Sequence, residues 1–201
     1  FSRQKIYDGF DCQMFLYLFS VTEDNNIYSE YIPAGVLYMP SGTIPNRTES
    51  GNNYDEDIDD YINSTFGMSG IVLNDPVIIN SMEKDSKAVF IPVSIDGKTR
   101  KGDSDSLLLS EHQMKILKDY INKIMVSAGD NIYNGEFNCM PYISSERITC
   151  DNCDYSEICR VAAYKDEISR MENKIQKKDF MDLISESLNN EKGENQDGMD
   201  Q

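Results

Sequence analysis

QKIYDGFDCQMFLYLFSVT, residues 4–22, sets Ile6, Phe10, Met14, Tyr17 or Leu18, and Val21 at spacings of three and four. That recurrence is the period of one helical face, so the stretch predicts a helix starting at about residue 5. From Met14 to Phe19 the segment is apolar all round, which predicts burial on several sides. Tyr7, Asp8 and Gly9 weaken the start. Gln13 and Tyr17 lie at i and i+4 and share one face, so an amide and a phenol point together from an otherwise greasy helix. Such a pair can steady a phosphate or a metal-bound water. It can equally be a hydrogen-bonded core pair, because a buried glutamine needs partners.

Further along the chain, PAGVLYMP (33–40) holds a short apolar run, Ala34 to Met39, between two prolines and predicts a buried strand. Residues 41–60, rich in Ser, Gly, Asn and Asp, predict a loop or insertion. FGMSGIVLNDPVIINSM (66–82) predicts a strand at Ile71 to Leu73, then a short helix after Asp75 with Pro76 in its first turn. Val89 to Ile95 reads as a strand ended by the turn at Gly97. Ser110 and Gln113 form a capping box for a long helix to Asn134, stopped by Gly135; Met114, Leu117, Ile121, Ile124, Ala128 and Ile132 mark its apolar face. A polar helix is expected from about Val161. The tail NNEKGENQDGMDQ (189–201) is too polar to pack and is expected to be disordered.

Composition narrows the function classes. Of 201 residues, 39% are hydrophobic, enough for a core, and no apolar run is long enough to cross a membrane. Nineteen Lys+Arg against 35 Asp+Glu give a net charge of −16. That balance repels phosphate backbones unless basic groups are concentrated, and only Lys98, Arg100 and Lys101 cluster. By itself the chain does not read as a nucleic-acid binder. It opens on Phe1 with no visible signal peptide, as expected of a piece of a longer chain.

Five cysteines is an odd count, and three fall within TCDNCDYSEICR (149–160). A secreted disulfide framework uses an even, dispersed set, so a reducing, cytoplasmic compartment is expected. Cys150, Cys153 and Cys159 have the spacing C-x2-C-x5-C. A C-x2-C turn lets two thiolates converge on one centre, and a third can return from the next turn or helix start. Structural zinc normally draws on two short ligand pairs, and the second pair is missing here; His112 is expected to face solvent early in the long helix. A cubane iron–sulfur cluster accepts three local thiolates and a remote fourth. Spacing alone leaves iron–sulfur, zinc and unliganded thiols open, with Cys139 and Cys12 as fourth-ligand candidates inside the chain that are each more simply small buried residues.

YDGFDCQMFLYL, PAGVLYMP, FGMSGIVLNDP, FIPVSI, the long helix with its glycine stop and CDNCDYSEICR, in that order, resemble the C-terminal part of the B subunit of AddAB-type helicase–nucleases over residues 1 to 165. The resemblance implies a mixed α/β (α+β) fold: the C-terminal portion of a restriction-endonuclease-like PD-(D/E)XK nuclease domain, with the cysteine cluster as a staple, followed by a polar helical extension over 166–188 and the tail. It implies resection of double-strand breaks for recombinational repair, with an A subunit as heterodimer partner, DNA as substrate and no membrane. It matches Gln13 and Tyr17 to the family's Q-x3-Y motif, a supporting part of the catalytic site. Cys150, Cys153 and Cys159 match three ligands of a 4Fe-4S cluster whose fourth ligand lies outside this chain. The family's Mg²⁺ ligands, an Asp and a D/E-x-K pair, precede the Q-x3-Y helix and are likewise expected outside it. Asp85-Ser86-Lys87, Asp96-Gly97-Lys98 and Glu172-Asn173-Lys174 fit a bare [DE]-x-K but follow that helix, so no role is expected for them. The alternative reading is a zinc-stabilised protein-interaction module.

Overall fold

A computed structural model describes residues 1–23, 27–41, 66–84, 88–94, 96–99, 105–138, 140–143, 150, 153–159, 170–172 and 174–197. The expected loop at 41–60 lies almost wholly outside them, as do Cys139 and the segment from Val161 to residue 169.

Three strands make the central sheet: β1 (Gly35–Tyr38), β2 (Ser69–Leu73) and β3 (Leu107–Leu109), in the order β1-β2-β3. β1 runs antiparallel to β2, with Val36 opposite Ile71, and β3 runs parallel to β2, with Ile71 opposite Leu107. Side chains alternate across a sheet, so each strand serves two cores. Val36, Ile71, Leu73, Leu107 and Leu109 face one core; Val72, with Leu37 and Leu108 beside it, faces a second that includes Ile79, Ile91 and Val93. β2 is therefore covered on both faces, which is why its sequence is a continuous apolar run rather than an alternating one.

The first face is covered by helices. The stretch expected to form one helix forms two, α1 (Arg3–Tyr7) and α2 (Gln13–Val21), broken at the corner from Asp8 to Cys12. Gly9 (φ +85°) and Asp11 (φ +50°) take left-handed backbone there, a geometry that interrupts a right-handed helix. The break rotates α2 relative to the expected face. Phe15 and Phe19 are buried, whereas Met14, Tyr17 and Val21 are exposed, so burial on several sides does not hold.

α3 (Pro76–Met82) starts as expected, with Pro76 at N1 and the Asp75 carboxylate accepting from the amides of Val77 at 2.7 Å and Ile78 at 3.3 Å. α4 (Glu111–Asn134) has both halves of the Ser110–Gln113 capping box and a left-handed Gly135 stop. Its buried residues are Met114, Leu117, Tyr120 and Ile121. Ile124 is half-buried, and Ala128 and Ile132 are exposed. At 1.5 Å per residue the helix outruns the small sheet beneath it, which shortens the expected face.

Over its described residues, 89–94, the strand expected at Val89 to Ile95 does not form. The Glu83 carboxylate accepts from the consecutive amides of Val89, Phe90 and Ile91 at 2.9, 3.0 and 3.0 Å, so these donors turn to a side chain instead of a neighbouring strand. Among these described residues only Val93, bridged to Thr99, keeps strand pairing. β3 was not expected; its Leu-Leu-Leu is too short to show a period.

Beyond α4 come β4 (Tyr142–Ile143), α5 (Ser156–Cys159), β5 (Arg170–Met171) and α6 (Phe180–Asp197), with β4 and β5 paired in parallel. α6 is no outlying extension. Phe180 and Ile184 are fully buried in the first core, and the Lys123 ammonium donates to the Ser187 carbonyl at 2.6 Å. The helix then continues to Asp197, into the stretch expected to be disordered. Once a helix is nucleated by packing, each further residue adds a hydrogen bond at little cost. No described helix is long and apolar enough to cross a membrane.

Candidate functional site

Gln13 and Tyr17 come together as their spacing requires: the Gln13 amide donates to the Tyr17 hydroxyl at 2.7 Å. Both are exposed, with Met14 and Val21 beside them on α2. They are therefore not a buried core pair. The amide oxygen of Gln13 and the hydroxyl hydrogen of Tyr17 stay available, so the pair can present an acceptor and a donor to a bound group at once.

The corner preceding α2 is tied down on three sides. The Tyr120 hydroxyl donates to the Tyr7 carbonyl at 2.6 Å, and burial pushes that phenol well above its usual range. Asp8 accepts from the Gln4 side-chain amide at 2.8 Å and from the Tyr142 hydroxyl at 2.5 Å through the same oxygen, while the Gln4 side-chain oxygen Oε1 accepts from the backbone amide of Ile175 at 3.0 Å. Phe10 meets the Tyr142 ring at 4.8 Å between centroids and lies under the Arg170 guanidinium at 5.9 Å. Desolvation, then the Asp8 carboxylate, raises the Tyr142 phenol, which holds it in the donating form. Sequence reasoning missed Asp8, Phe10, Tyr142 and Arg170; partners more than 130 positions apart leave no local signal.

Cys153 is exposed and Cys150 half-buried, joined by a turn in which the Cys153 amide donates to the Cys150 carbonyl at 3.2 Å. The chain continues through the Ser156 amide to the Cys153 carbonyl at 3.1 Å into α5, whose last residue is Cys159, also exposed. By donor type, accessibility and backbone turn these residues suit a soft metal centre. Among the described residues, however, no three potential ligands gather at one point. Cys12 is not near solvent: it is 6% exposed, its thiol donates to the Phe10 carbonyl at 3.1 Å, and burial, reinforced by Asp11, raises it to about 11. A thiol so disposed is a core residue, not a ligand. His112 is exposed at the start of α4.

Asp96 and Lys98 face one another at 2.7 Å within a surface turn that Ser94 closes on both Asp96 and the Lys98 carbonyl. The Lys98 hydrogen bond, then that of Ser94, lowers the Asp96 carboxyl to about 2. Its charge is spent within the turn. Asp85 to Lys87 lie outside the described residues. Glu172 ends the β4–β5 pairing, its amide donating to the Ile143 carbonyl at 2.9 Å.

The sequence of residues 1–160 matches the PD-(D/E)XK nuclease superfamily. Similar curated proteins are named as the B subunit of an ATP-dependent helicase/deoxyribonuclease. That of Clostridium acetobutylicum is 31% identical over 80% of this chain and 14% of its own length, and that of Clostridium kluyveri 32% over the same shares. The Clostridium perfringens protein is 25% identical over 95% of this chain and 17% of its own length. The chain thus spans 14–17% of the length of these relatives. With a mixed sheet covered by helices, and with the family model spanning α1 to α5, the chain belongs to the PD-(D/E)XK nuclease superfamily.

Proposed function

We propose that this chain is the C-terminal part of the B subunit of an ATP-dependent DNA helicase–exodeoxyribonuclease that resects double-strand breaks, acting as a heterodimer with an A subunit. The observation that carries this reading is the exposed Gln13–Tyr17 pair, at the spacing of the Q-x3-Y motif, on a helix whose outer face also displays Met14 and Val21. An apolar face around a paired amide and phenol suits a site completed by further chain. Superfamily nucleases generally use Mg²⁺, which activates water and stabilises the charge of the phosphoryl transition state. The described residues hold no cluster of carboxylates that fits it, so its ligands are assigned to the rest of the longer protein. The role left to Gln13 and Tyr17 is orientation: the amide oxygen accepts from a metal-bound or attacking water, and the phenol donates to a phosphate oxygen.

Cys150, Cys153 and Cys159 are assigned as three ligands of a 4Fe-4S cluster, with the fourth from outside this chain. Such a centre braces the fold, since binding a remote ligand closes a long stretch of chain. The acidic charge is compatible with this, because the basic DNA channel is assigned to the remaining domains and the A subunit.

The test uses the full-length subunit with its A partner, purified anaerobically. We expect ATP- and Mg²⁺-dependent degradation of linear duplex DNA, iron and acid-labile sulfide in the protein, and a kcat reduced about 100-fold by Gln13→Ala, in the range for loss of one positioning group. The 201-residue chain alone is expected to be inactive. Stoichiometric zinc in place of iron, with no nuclease activity, would establish the protein-interaction module instead.

A further inference from the structure

The chain carrying the three cysteines leaves at β4 and returns at β5. Both of its ends touch the same side chain: the Tyr142 ring of β4 and the Arg170 guanidinium of β5 sit on Phe10, three residues before Gln13. The Tyr142 hydroxyl also holds Asp8, the residue at which α1 ends. Between Phe10 and α2 lie only Asp11, in left-handed backbone, and Cys12, whose thiol is bonded back to the Phe10 carbonyl. The corner therefore has little freedom of its own: what shifts Phe10 shifts the first turn of α2, where Gln13 stands.

We propose that Tyr142 is a positioning residue for the Gln13–Tyr17 helix, linking it to the cysteine-bearing chain between β4 and β5. This rests on the reading of Gln13 and Tyr17 as parts of a nuclease site. Tyr142 acts through two contacts with different chemistry. Its ring fixes Phe10 by packing, and its hydroxyl fixes Asp8 by a charge-assisted hydrogen bond, the stronger class of such bonds. Asp8 shares that oxygen with the Gln4 amide, and Gln4 in turn receives the amide of Ile175, so the chain beyond β5 is joined to the same point. The register of α2 is thereby set by residues on either side of the cysteines, not by α1 alone.

The experiment uses the full-length subunit with its A partner and follows hydrogen exchange of the α2 amides, nuclease kcat and KM, and iron content. Tyr142→Phe keeps the ring and deletes the hydroxyl; Asp8→Asn keeps an acceptor for it. We expect Tyr142→Phe to retain iron, to speed exchange at residues 13–17 by about 5- to 10-fold, the scale of one lost hydrogen bond, and to lower kcat by a similar factor with KM for DNA unchanged. Asp8→Asn, which keeps an acceptor but not the charge, should speed the same amides and lower kcat by less than Tyr142→Phe does. Cys153→Ala should speed the same amides in the wild-type background and by less in the Tyr142→Phe background, because the Tyr142 hydroxyl is one of the links that join the cysteine-bearing chain to the corner. Wild-type exchange in Tyr142→Phe, additive effects in the double variant, or a kcat loss that follows iron loss would each overturn the proposal. A wild-type complex without nuclease activity would remove the functional reading, while the exchange data would still decide whether Tyr142 links the two segments.

Discussion

At the scale of single residues, the two cysteine environments make opposite demands. Cys12 is enclosed by Ile6, Phe15 and their neighbours and holds its proton against a pKa raised from 9.0 to about 11, whereas Cys153 stands in water. With metal removed and no denaturant at about pH 8, iodoacetamide should alkylate Cys153 within minutes and leave Cys12 unmodified, read by mass spectrometry. The raised pKa also fixes a sign. The folded state binds the thiol proton more tightly than the unfolded chain, so this contribution is complete below pH 9 and is lost as pH rises toward 11. Cys12→Ala should flatten that part of the alkaline fall in Tm. Asp96→Ala, by contrast, removes only a surface turn contact and should leave nuclease activity of the full complex unchanged. The sequence already separated these thiols, Cys153 by its C-x2-C-x5-C spacing and Cys12 as more simply a small buried residue; the corner at Gly9 and Asp11 that encloses Cys12 was not legible.

At the scale of elements, two devices hold the second core. Glu83 gathers three successive amides with one carboxylate, one of them, that of Ile91, in the interior. Glu83→Ala deletes the acceptor and strands the buried Ile91 amide, so a loss of about 1–3 kcal/mol is expected in urea unfolding. Glu83→Gln, which keeps one acceptor oxygen, should lose less. β1 and β2 approach closely at two glycines: a Cβ on Gly35 would stand 2.2 Å from the Ile71 carbonyl oxygen, and one on Gly70 2.0 Å from that of Val36. Both have positive φ, +147° and +154°. Gly70→Ala therefore meets backbone and strain together, and a loss of at least about 2 kcal/mol is expected by the same measurement. Elements with local codes were legible in the sequence: the Ser110 capping box, the Asp75-Pro76 helix start, the proline-bounded β1. Val89 to Ile95 was not, because the residue that captures its amides lies outside the segment and acts through its side chain.

For the whole molecule, the family and the layered α/β plan were legible, while the extent of the core was not. The motifs that carried the resemblance all precede residue 161, so α6 read as a polar appendage. Polar residues dominate its composition, yet Phe180 and Ile184, with Met181 and Leu188 packed beside them, make it part of the first core. Phe180→Ala should cost about 3–5 kcal/mol, as for other buried phenylalanines, and should raise hydrogen exchange in α4, against which α6 packs. An outlying helix would leave α4 unaffected. The candidate site was legible in part: Gln13 and Tyr17 were paired by helical arithmetic, but their exposure depended on a break that no periodicity shows.

The parallel pairing of β4 with β5 has a consequence for chain integrity. Tyr142 is fastened to Asp8 and Phe10, and the chain after β5 is fastened separately by Gln4 at Ile175 and by Phe180 and Ile184 in the core. Each side of the cysteine-bearing crossover thus has its own moorings. A single protease cut between Ile143 and Arg170 should give two bands on a denaturing gel and one species on a native gel, the severed parts remaining together without a covalent bond between them.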